Sequence, residues 1–356
     1  MATALVLLSG GLDSMLAARI LLEQGVEVTG LTFISNFFGA AKGLAAAKQL
    51  GVPLIAYNIA PKHLEMVKQP KYGYGKNMNP CIDCHALMLR EAKEIMAGKE
   101  MVLVYPDGRL KAVAQNYDFV ATGEVLGQRP MSQNKDALGV VAKYSGIGDN
   151  LLRPLCAKLL AETLPEKFGK VDRDKLLDIS GRSRQRQVEL AAKFGLKDYP
   201  SPAGGCLLTD PGFSKKLKEL LAYWPQCQGG DVELIKHGRV FWLTSEVGDA
   251  AEKVLLVIGR NQEDNGALQK MAKSGDIIVQ IVEENGPTAL IRSNNKNLDV
   301  GDRKFELIVP EMLDHNSLKF GEAKTKDEII GLSARLIGHY AVKARGKQVE
   351  IKVKTI

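Results

Sequence analysis

The chain has 356 residues, of which 45% are hydrophobic and 25% are charged. That balance is typical of a globular protein with an ample core, and the length suits two domains. The net charge of +7 is compatible with a polyanionic partner but does not require one. No apolar run reaches about 18 residues, which argues against a transmembrane helix. The N-terminus lacks the features of a signal peptide, so we predict a cytoplasmic protein without a membrane partner.

The first part of the chain alternates strand-like and helix-like segments. Short apolar runs that read as buried strands are separated by runs of helical length, which predicts βαβ units and a parallel sheet. Residues 101–114 instead predict a hairpin that turns at Pro106, Asp107 and Gly108. The predicted strands are residues 3–9, 26–33, 53–59 and 118–124, and the predicted helices are residues 12–24 and 39–51.

The pattern changes between residues 199 and 230, where two loops flank a helical run. The chain then becomes rich in strand-like segments, beginning with residues 231–244, before a helical pattern at residues 326–344. We therefore predict an α/β fold with a parallel sheet in residues 1–222 and a smaller α+β domain in residues 228–356.

The stretch LSGGLDS, Leu8–Ser14, lies between the first strand and the first helix. Its glycines let the backbone approach an anion, its serines offer hydroxyl donors, and the helix start adds free N–H groups. Asp13 repels a phosphate unless a cation lies between them, and Mg²⁺ is the natural bridge. Two glycines alone would favour a simple tight turn. The spacings GxxxxGK[ST] and GxGxxG are absent, which argues against P-loop kinases and dinucleotide oxidoreductases.

The stretch SGGLDS after a strand resembles the PP-loop of the ATP pyrophosphatases, which cleave ATP between the α- and β-phosphates and adenylate a substrate oxygen. The resemblance implies an adenine nucleotide alpha hydrolase-like fold, with ATP and Mg²⁺ as cofactors and Asp13 in a catalytic role. The residues that it implies in nucleotide binding are Ser9, Gly10, Gly11, Leu12, Asp13, Ser14, Thr32, Phe33, Gly123, Gln128 and Ser132.

Three further stretches narrow this resemblance to enzymes that thiolate tRNA. ATGEVLGQRPMSQN (Ala121–Asn134) and LLRPL (Leu151–Leu155) resemble segments of the 4-thiouridine synthetases, ThiI. YPSPAGGCLLTD (Tyr199–Asp210) has Cys206 where sulfur-transferring members, including the 2-thiouridylases (MnmA), carry a catalytic cysteine. The resemblance implies that a uridine oxygen is adenylated and then replaced by sulfur, with 4-thiouridine favoured over 2-thiouridine.

The five cysteines include a C-x-x-C pair, Cys81 and Cys84, and in the cytoplasm we expect no structural disulfide. With Cys206 the pair suits a zinc site, a redox dithiol or an iron–sulfur cluster, whereas c-type haem attachment occurs outside the cytoplasm. Resemblance to PP-loop thiolases without a rhodanese domain favours a [4Fe–4S] cluster on these three cysteines. Zinc is the alternative metal, and the main rival is a catalytic pair of Cys206 with one C-x-x-C thiol. Cys156 and Cys227 read as inert thiols.

Basic residues supply two candidate RNA-binding regions. GRSRQRQ puts three arginines before a predicted helix, where they suit either a tRNA backbone or a solvated helix face. C-terminal stretches such as VIGRNQEDN and ARLIGHYAVKARGKQVEIKV resemble the NFACT-R (DUF814) domain, which is associated with RNA binding. The alternative is an oligomerisation or lid domain. The residues assigned to RNA binding are Arg182, Arg184, Arg186, Arg260, Lys343 and Arg345.

The predicted function is ATP-dependent transfer of sulfur to a tRNA uridine. The partners implied are tRNA and an external sulfur donor, either a cysteine desulfurase or sulfide, and a homodimer is left open. One alternative is a PP-loop amidotransferase or nitrile synthase that acts on a small carboxylate. Another is an RNA-binding module with a degenerate ATP loop, against which the intact Ser9–Ser14 loop argues.

Overall fold

The structure of the protein is a computed structural model. The structure describes residues 1–201, 206–245, 252–282, 286–294, 298, 300–309 and 322–356. It forms two compact units, Met1–Ser214 and Lys215–Ile356. Among the described residues, no helix combines the length and the apolar character that a membrane crossing requires.

The first unit is built around a seven-stranded sheet in the order β5-β4-β3-β2-β1-β6-β7. Strands β3, β2, β1, β6 and β7 run parallel, and the β4–β5 hairpin adds antiparallel strands at one edge, as the sequence predicted. The strands are β1 Thr3–Leu7, β2 Glu27–Ile34, β3 Leu54–Asn58, β4 Met101–Val104, β5 Leu110–Val113, β6 Phe119–Ala121 and β7 Leu151–Leu152. The helices are α1 Leu12–Leu22, α2 Ala41–Leu50, α3 Ala60–Lys68, α4 Cys81–Met96, α5 Lys135–Ser145, α6 Leu164–Lys167 and α7 Gln185–Lys193, followed by α8 Pro211–Tyr223.

Strand β1 is buried on both faces of this sheet. Ala4 and Val6 belong to one apolar cluster with Leu16 of α1, while Leu5 belongs to a second cluster with Leu89 of α4. An uninterrupted apolar strand is what a parallel sheet covered by helices on both sides requires. From β1 the chain builds the sheet in one direction through β2 and β3, and later in the other through β6 and β7. Such a reversal opens a crevice at the carboxyl ends of β1 and β6, where ligands of open α/β sheets bind.

The second unit contains another seven-stranded sheet, in the order β12-β14-β10-β11-β9-β8-β13. Among the strands that the structure describes here, only the β8–β13 pair is parallel, and the other pairs of neighbours are antiparallel. Apolar residues of α11 pack in one buried cluster with the strands. The strands of the second unit are β8 Arg239–Ser245, β9 Glu252–Ile258, β10 Ile277–Ile281, β11 Ala289–Arg292, β12 Arg303–Ile308, β13 Glu322–Ala323 and β14 Gln348–Thr355. Its helices are α9 Gly229–Leu234, α10 Gln262–Met271 and α11 Lys326–Tyr340.

One predicted strand of the second unit begins later than the sequence indicated. The segment 231–244 was predicted as strand-like from its start, but its first residues form α9 and the strand β8 begins only at Arg239. Asp231 explains the difference, because its carboxylate accepts a hydrogen bond from the N–H of Gln228 at 2.9 Å and so caps the helix. The same carboxylate pairs with Arg292 at 3.0 Å, which fixes α9 against β11.

Candidate functional site

The loop Ser9–Ser14 lies at the carboxyl end of β1, in the crevice between β1 and β6. The Ser14 hydroxyl donates to the Gly11 carbonyl at 2.7 Å, and the Ser9 hydroxyl lies 3.3 Å from that of Ser14. The N-cap residue of α1 is Gly11, which has no side chain. The N–H groups of the first helical turn therefore have no capping hydrogen bond from an N-cap side chain. These groups and the helix dipole together favour an anion at this position.

Glycines allow three backbone segments to meet at the loop. Gly10 has φ of +82°, and a Cβ there would lie 2.4 Å from the carbonyl oxygen of Lys42 in α2. A Cβ on Gly123, after β6, would lie 2.5 Å from the Asp13 carbonyl. A Cβ on Gly43 would lie 2.6 Å from the Thr32 hydroxyl. The structure thus brings the predicted residues Gly123 and Thr32 beside the loop.

Two other predicted nucleotide-binding residues are buried. Phe33 belongs to the apolar cluster on the α4 side of the sheet, and its ring packs edge-on against Tyr57. Ser132 is 1% exposed, inside the turn that follows Gln128. Their roles in nucleotide binding stay predictions.

Asp13 carries an unsatisfied oxygen at the start of α1. Gln128 donates to Oδ2 of Asp13 at 3.1 Å, while Oδ1 is buried without a hydrogen-bond partner in the part of the chain that the structure describes. Burial raises the pKa of Asp13, against the lowering effects of the Gln128 hydrogen bond and the charges of Arg184 and Arg129. A buried carboxylate oxygen beside a phosphate loop fits a Mg²⁺ ligand, because Mg²⁺ binds carboxylate and phosphate oxygens together.

The three predicted thiols lie in neighbouring segments, because the N–H of Met78, just before α4, donates to the carbonyl of Leu208, just after Cys206, at 3.1 Å. Helix α4 carries two of them. Cys81 and Cys84 lie in its first turn, and Cys206 precedes a short 3₁₀ helix. Burial raises the pKa of all three, to about 11 for Cys206, and the thiols of Cys206 and Cys81 further raise that of Cys84. Among the described residues, no group of three or more His, Cys, Asp or Glu side chains is arranged as a metal site. The soft donor set fits an iron–sulfur cluster chemically, although the thiols are not in a ligating arrangement.

Cys84 has a histidine neighbour that the sequence did not indicate. His63 of α3 is fully buried, and its Nε2 lies 3.3 Å from the Cys84 Sγ. Burial lowers the pKa of His63 to about 4, so the imidazole is neutral at physiological pH. Its ring packs against Phe37 and Phe38, which hold it in place.

A buried ionic network adjoins the thiols and was also missed from the sequence. The Glu124 carboxylate lies 2.9 Å from Nδ1 of His85 and accepts from Nε of Arg153 at 2.8 Å. Burial would raise the pKa of Glu124, but Arg153 and His85 outweigh it and hold the pKa well below its usual range. Because His85 follows Cys84 in α4, this network ties the end of β6 to the thiol-bearing turn. Its only sequence signal was the position of Glu124 just after a strand.

The residues predicted to bind RNA have varied surroundings. In the first unit, Arg182 is exposed, Arg186 pairs with Asp178 at 2.8 Å, and Arg184 acts on Asp13. In the second unit, Arg260 pairs with Asp264 at 2.7 Å, while Lys343 and Arg345 are exposed after α11. RNA binding by these residues and the NFACT-R resemblance stay predictions.

Comparison with known proteins finds relatives of the first unit. Residues 1–159 match the family described as "Thiamine biosynthesis protein (ThiI)". The chain is 26% identical over 245 residues to the tRNA-specific 2-thiouridylase MnmA of Symbiobacterium thermophilum, covering 60% of this chain and 55% of that protein. The chain is 24% identical over 236 residues to the MnmA of Carboxydothermus hydrogenoformans, and the match covers 60% of this chain and 58% of that protein. The chain thus spans less than two thirds of the length of these relatives.

One similar solved structure is titled "Crystal structure of a 4-thiouridine synthetase - RNA complex with bound ATP". It is 19% identical, has a TM-score of 0.36, and is matched over 65% of this chain and 53% of that one.

Proposed function

We propose that this chain, whose first unit is a PP-loop domain related to the ThiI and MnmA families, is an ATP-dependent tRNA uridine sulfurtransferase. One observation carries the proposal. The segment after β6 contacts the nucleotide loop through Gln128 and Asp13, and the thiol-bearing helix through Glu124 and His85. An adenylation loop and a group of thiols therefore share one crevice, which is what an activation step followed by sulfur transfer requires.

In the proposed reaction the loop Ser9–Ser14 binds the triphosphate of ATP, and Asp13 would hold a Mg²⁺ ion, which would offset the negative charge of the phosphates. The uridine oxygen bonds to the α-phosphorus, pyrophosphate leaves with the electron pair of the broken P–O bond, and the ring loses its N3 proton. Hydrosulfide then forms a C–S bond at the activated carbon, and AMP leaves with the former carbonyl oxygen of the uracil. The proton of hydrosulfide moves to N3. The turn that carries Cys81 and Cys84, together with Cys206, receives the sulfur from an external donor.

The product that we propose is 4-thiouridine. The stretch Ala121–Asn134 resembles the ThiI segment, and the ThiI family match covers it. The curated relatives named above are 2-thiouridylases, so 2-thiouridine is the alternative product. The two isomers separate on chromatography of digested tRNA.

The test is thiolation of unmodified tRNA with MgATP and sulfide, read by mass spectrometry of nucleosides. We expect 4-thiouridine from the wild type, and a loss of roughly 100-fold in Asp13→Asn, because this variant removes a charge that the triphosphate complex needs. Asp149→Asn, which changes an exposed carboxylate, is the matched control. Cys206→Ser should form adenylated tRNA without thiolating it.

Three results would contradict the proposal. The first is a wild type that yields no thionucleoside. The second is an Asp13→Asn variant as active as Asp149→Asn. The third is pyrophosphate release that depends on a small carboxylate and ammonia instead of tRNA, which would support the amidotransferase alternative.

We further propose that Cys81, Cys84 and Cys206 hold a [4Fe–4S] cluster with one iron open to sulfide. The support is their convergence and soft donor chemistry, and ligation would require the thiols to move together. After anaerobic reconstitution we expect about four iron and four sulfide per chain. Serine at any of the three positions should lower that content, whereas Cys227→Ala should not. Zinc bound at the same cysteines, with no iron, would overturn this assignment.

A further inference from the structure

Two arginines, Arg129 and Arg184, lower the pKa of Asp13 through their charges. Arg129 follows Gln128 directly, and Arg184 is the residue before α7. Within the described part of the chain neither guanidinium has an ion pair or hydrogen bond of its own. Each side chain is charged at every physiological pH and therefore needs an anion or water.

A close backbone contact positions Arg184 at the crevice. The N–H of Gly181 donates to the carbonyl of Leu126 at 2.8 Å, and a Cβ on Gly127 would lie 3.4 Å from the Gly181 nitrogen. This contact fastens the start of α7 beside the segment that carries Gln128. The Nε of Arg184 is buried with no acceptor among the described residues. A buried donor without an acceptor is costly, so the position is suited to a ligand that supplies one.

Arg129 belongs to the segment after β6 that contacts the loop Ser9–Ser14 through Gln128 and the thiol-bearing helix through Glu124. Its carbonyl accepts from the N–H of Gln133 at 2.8 Å, so a turn fixes its backbone, while its side chain is exposed. Its charge lowers the pKa of Asp13 and also that of Cys81. Arg184 acts on Asp13 without a corresponding effect on Cys81. The charge of Arg129 therefore affects both Asp13 and Cys81, whereas that of Arg184 affects Asp13.

We propose that Arg184 binds the pyrophosphate end of ATP, and that Arg129 binds the α-phosphate that remains on the substrate oxygen as AMP. This assignment rests on the proposed function. It gives each leaving group of the reaction its own guanidinium, whose planar fork matches phosphate oxygens. It also moves Arg184 from the predicted RNA surface into the nucleotide site.

The chemistry separates the two roles in time. In adenylation the bond between the α-phosphorus and the bridging oxygen breaks, and pyrophosphate departs with the electron pair, so charge grows beside Arg184. In sulfur transfer the C–S bond forms, the C–O bond breaks and AMP departs with the oxygen, so charge grows beside Arg129. A cation placed where charge develops accelerates that step selectively.

The experiment uses the full chain, unmodified tRNA, ATP labelled at the α-phosphate and sodium sulfide. We expect Arg184→Gln to slow pyrophosphate release by roughly 100-fold, with no build-up of labelled tRNA. Arg129→Gln should release the first pyrophosphate at a rate within about threefold of the wild type, whereas AMP release should fall roughly 100-fold and labelled tRNA accumulate. Lys193→Gln in α7 and Lys135→Gln at the start of α5 are exposed controls near the same two segments.

Equal slowing of both steps in the two variants would overturn the division of roles, as would wild-type rates for both steps. Weakened tRNA binding that saturating tRNA fully rescues would make these arginines RNA contacts and overturn it too. Arg184→Lys keeps the charge but loses the fork, so an intermediate rate of pyrophosphate release would support direct phosphate binding. A wild type that releases neither pyrophosphate nor AMP in the presence of tRNA would overturn the proposed function itself and the assignment with it.

Discussion

The thiols of Cys81, Cys84 and Cys206 lie in surroundings that keep them protonated at neutral pH. Burial raises the pKa of Cys81 more than the charge of Arg129 lowers it, and every cause acting on Cys84 raises its pKa. A protonated thiol is a poor nucleophile, so the resting site is protected from alkylation and oxidation. Binding of a metal or of a sulfur donor would change the protonation of these thiols.

Alkylation by iodoacetamide tests this description. Because only the thiolate reacts and the pKa of Cys206 is about 11, we expect its labelling to be slow at neutral pH. The rate should rise about tenfold per pH unit toward that value. Peptide mass spectrometry measures the rates, with buried Cys84 and Cys227 as internal references that react only on unfolding. Labelling of Cys206 that levels off below about pH 9 would contradict the effect of burial on its pKa.

At the scale of residues, a sequence can indicate chemistry that is encoded locally, but not contacts between positions far apart in the chain. The loop Ser9–Ser14 is recognisable from its adjacent glycines, serines and carboxylate. The pairing of Glu124 with His85 joins positions 39 residues apart. His63 and Cys84 are 21 residues apart and come from different helices. Such pairs depend on how helices pack on the sheet, and a single sequence carries no record of that packing.

At the scale of elements, close backbone approach holds α2 and the end of β6 against the nucleotide loop. This arrangement requires glycine at particular positions because any Cβ would overlap backbone atoms, which cannot rotate away. Gly10 of the loop Ser9–Ser14 is therefore a packing residue. Its substitution should damage stability even where no ligand is bound.

Gly10→Ala tests this requirement. A residue with a Cβ at φ of +82° costs about 1–2 kcal/mol, and the overlap with the Lys42 carbonyl adds to that cost. Gly139→Ala, inside α5 with no atom near its Cβ position, should instead stabilise the protein by about 0.5–1 kcal/mol. Urea unfolding measures both. A Gly10→Ala variant as stable as the wild type would contradict the close packing of α2 on the loop.

The elements themselves followed from the sequence where periodicity and turns were clear. Four parallel strands, their first two helices and the hairpin at residues 101–114 lie as predicted. The error at α9 came from an apolar run that suits helix and strand equally, and a long-range ion pair with Arg292 decided the outcome. Helix α4 was not predicted, because its N-cap residue is Pro80, which supplies no capping side chain to mark the start of the helix.

At the scale of the whole molecule, each unit contains its own buried apolar core. One cluster of the first unit joins α1 and α2 to the parallel sheet, and the cluster of the second unit joins α11 to the antiparallel sheet. Leu16 of α1 and Leu256 of β9 are both fully buried, one in each cluster. These two leucines make a matched pair because they share a side chain and a degree of burial.

Leu16→Ala and Leu256→Ala should therefore destabilise different parts of the chain. Each substitution leaves a cavity that lowers the free energy of unfolding of its unit by about 2–5 kcal/mol. In hydrogen exchange followed by mass spectrometry, we expect Leu16→Ala to speed exchange in Met1–Ser214 and Leu256→Ala to speed it in Lys215–Ile356. The conservative variants Leu16→Met and Leu256→Met nearly keep the volume and should change exchange little. Equal acceleration throughout the chain in both alanine variants would mean that the two cores unfold together as one cooperative structure.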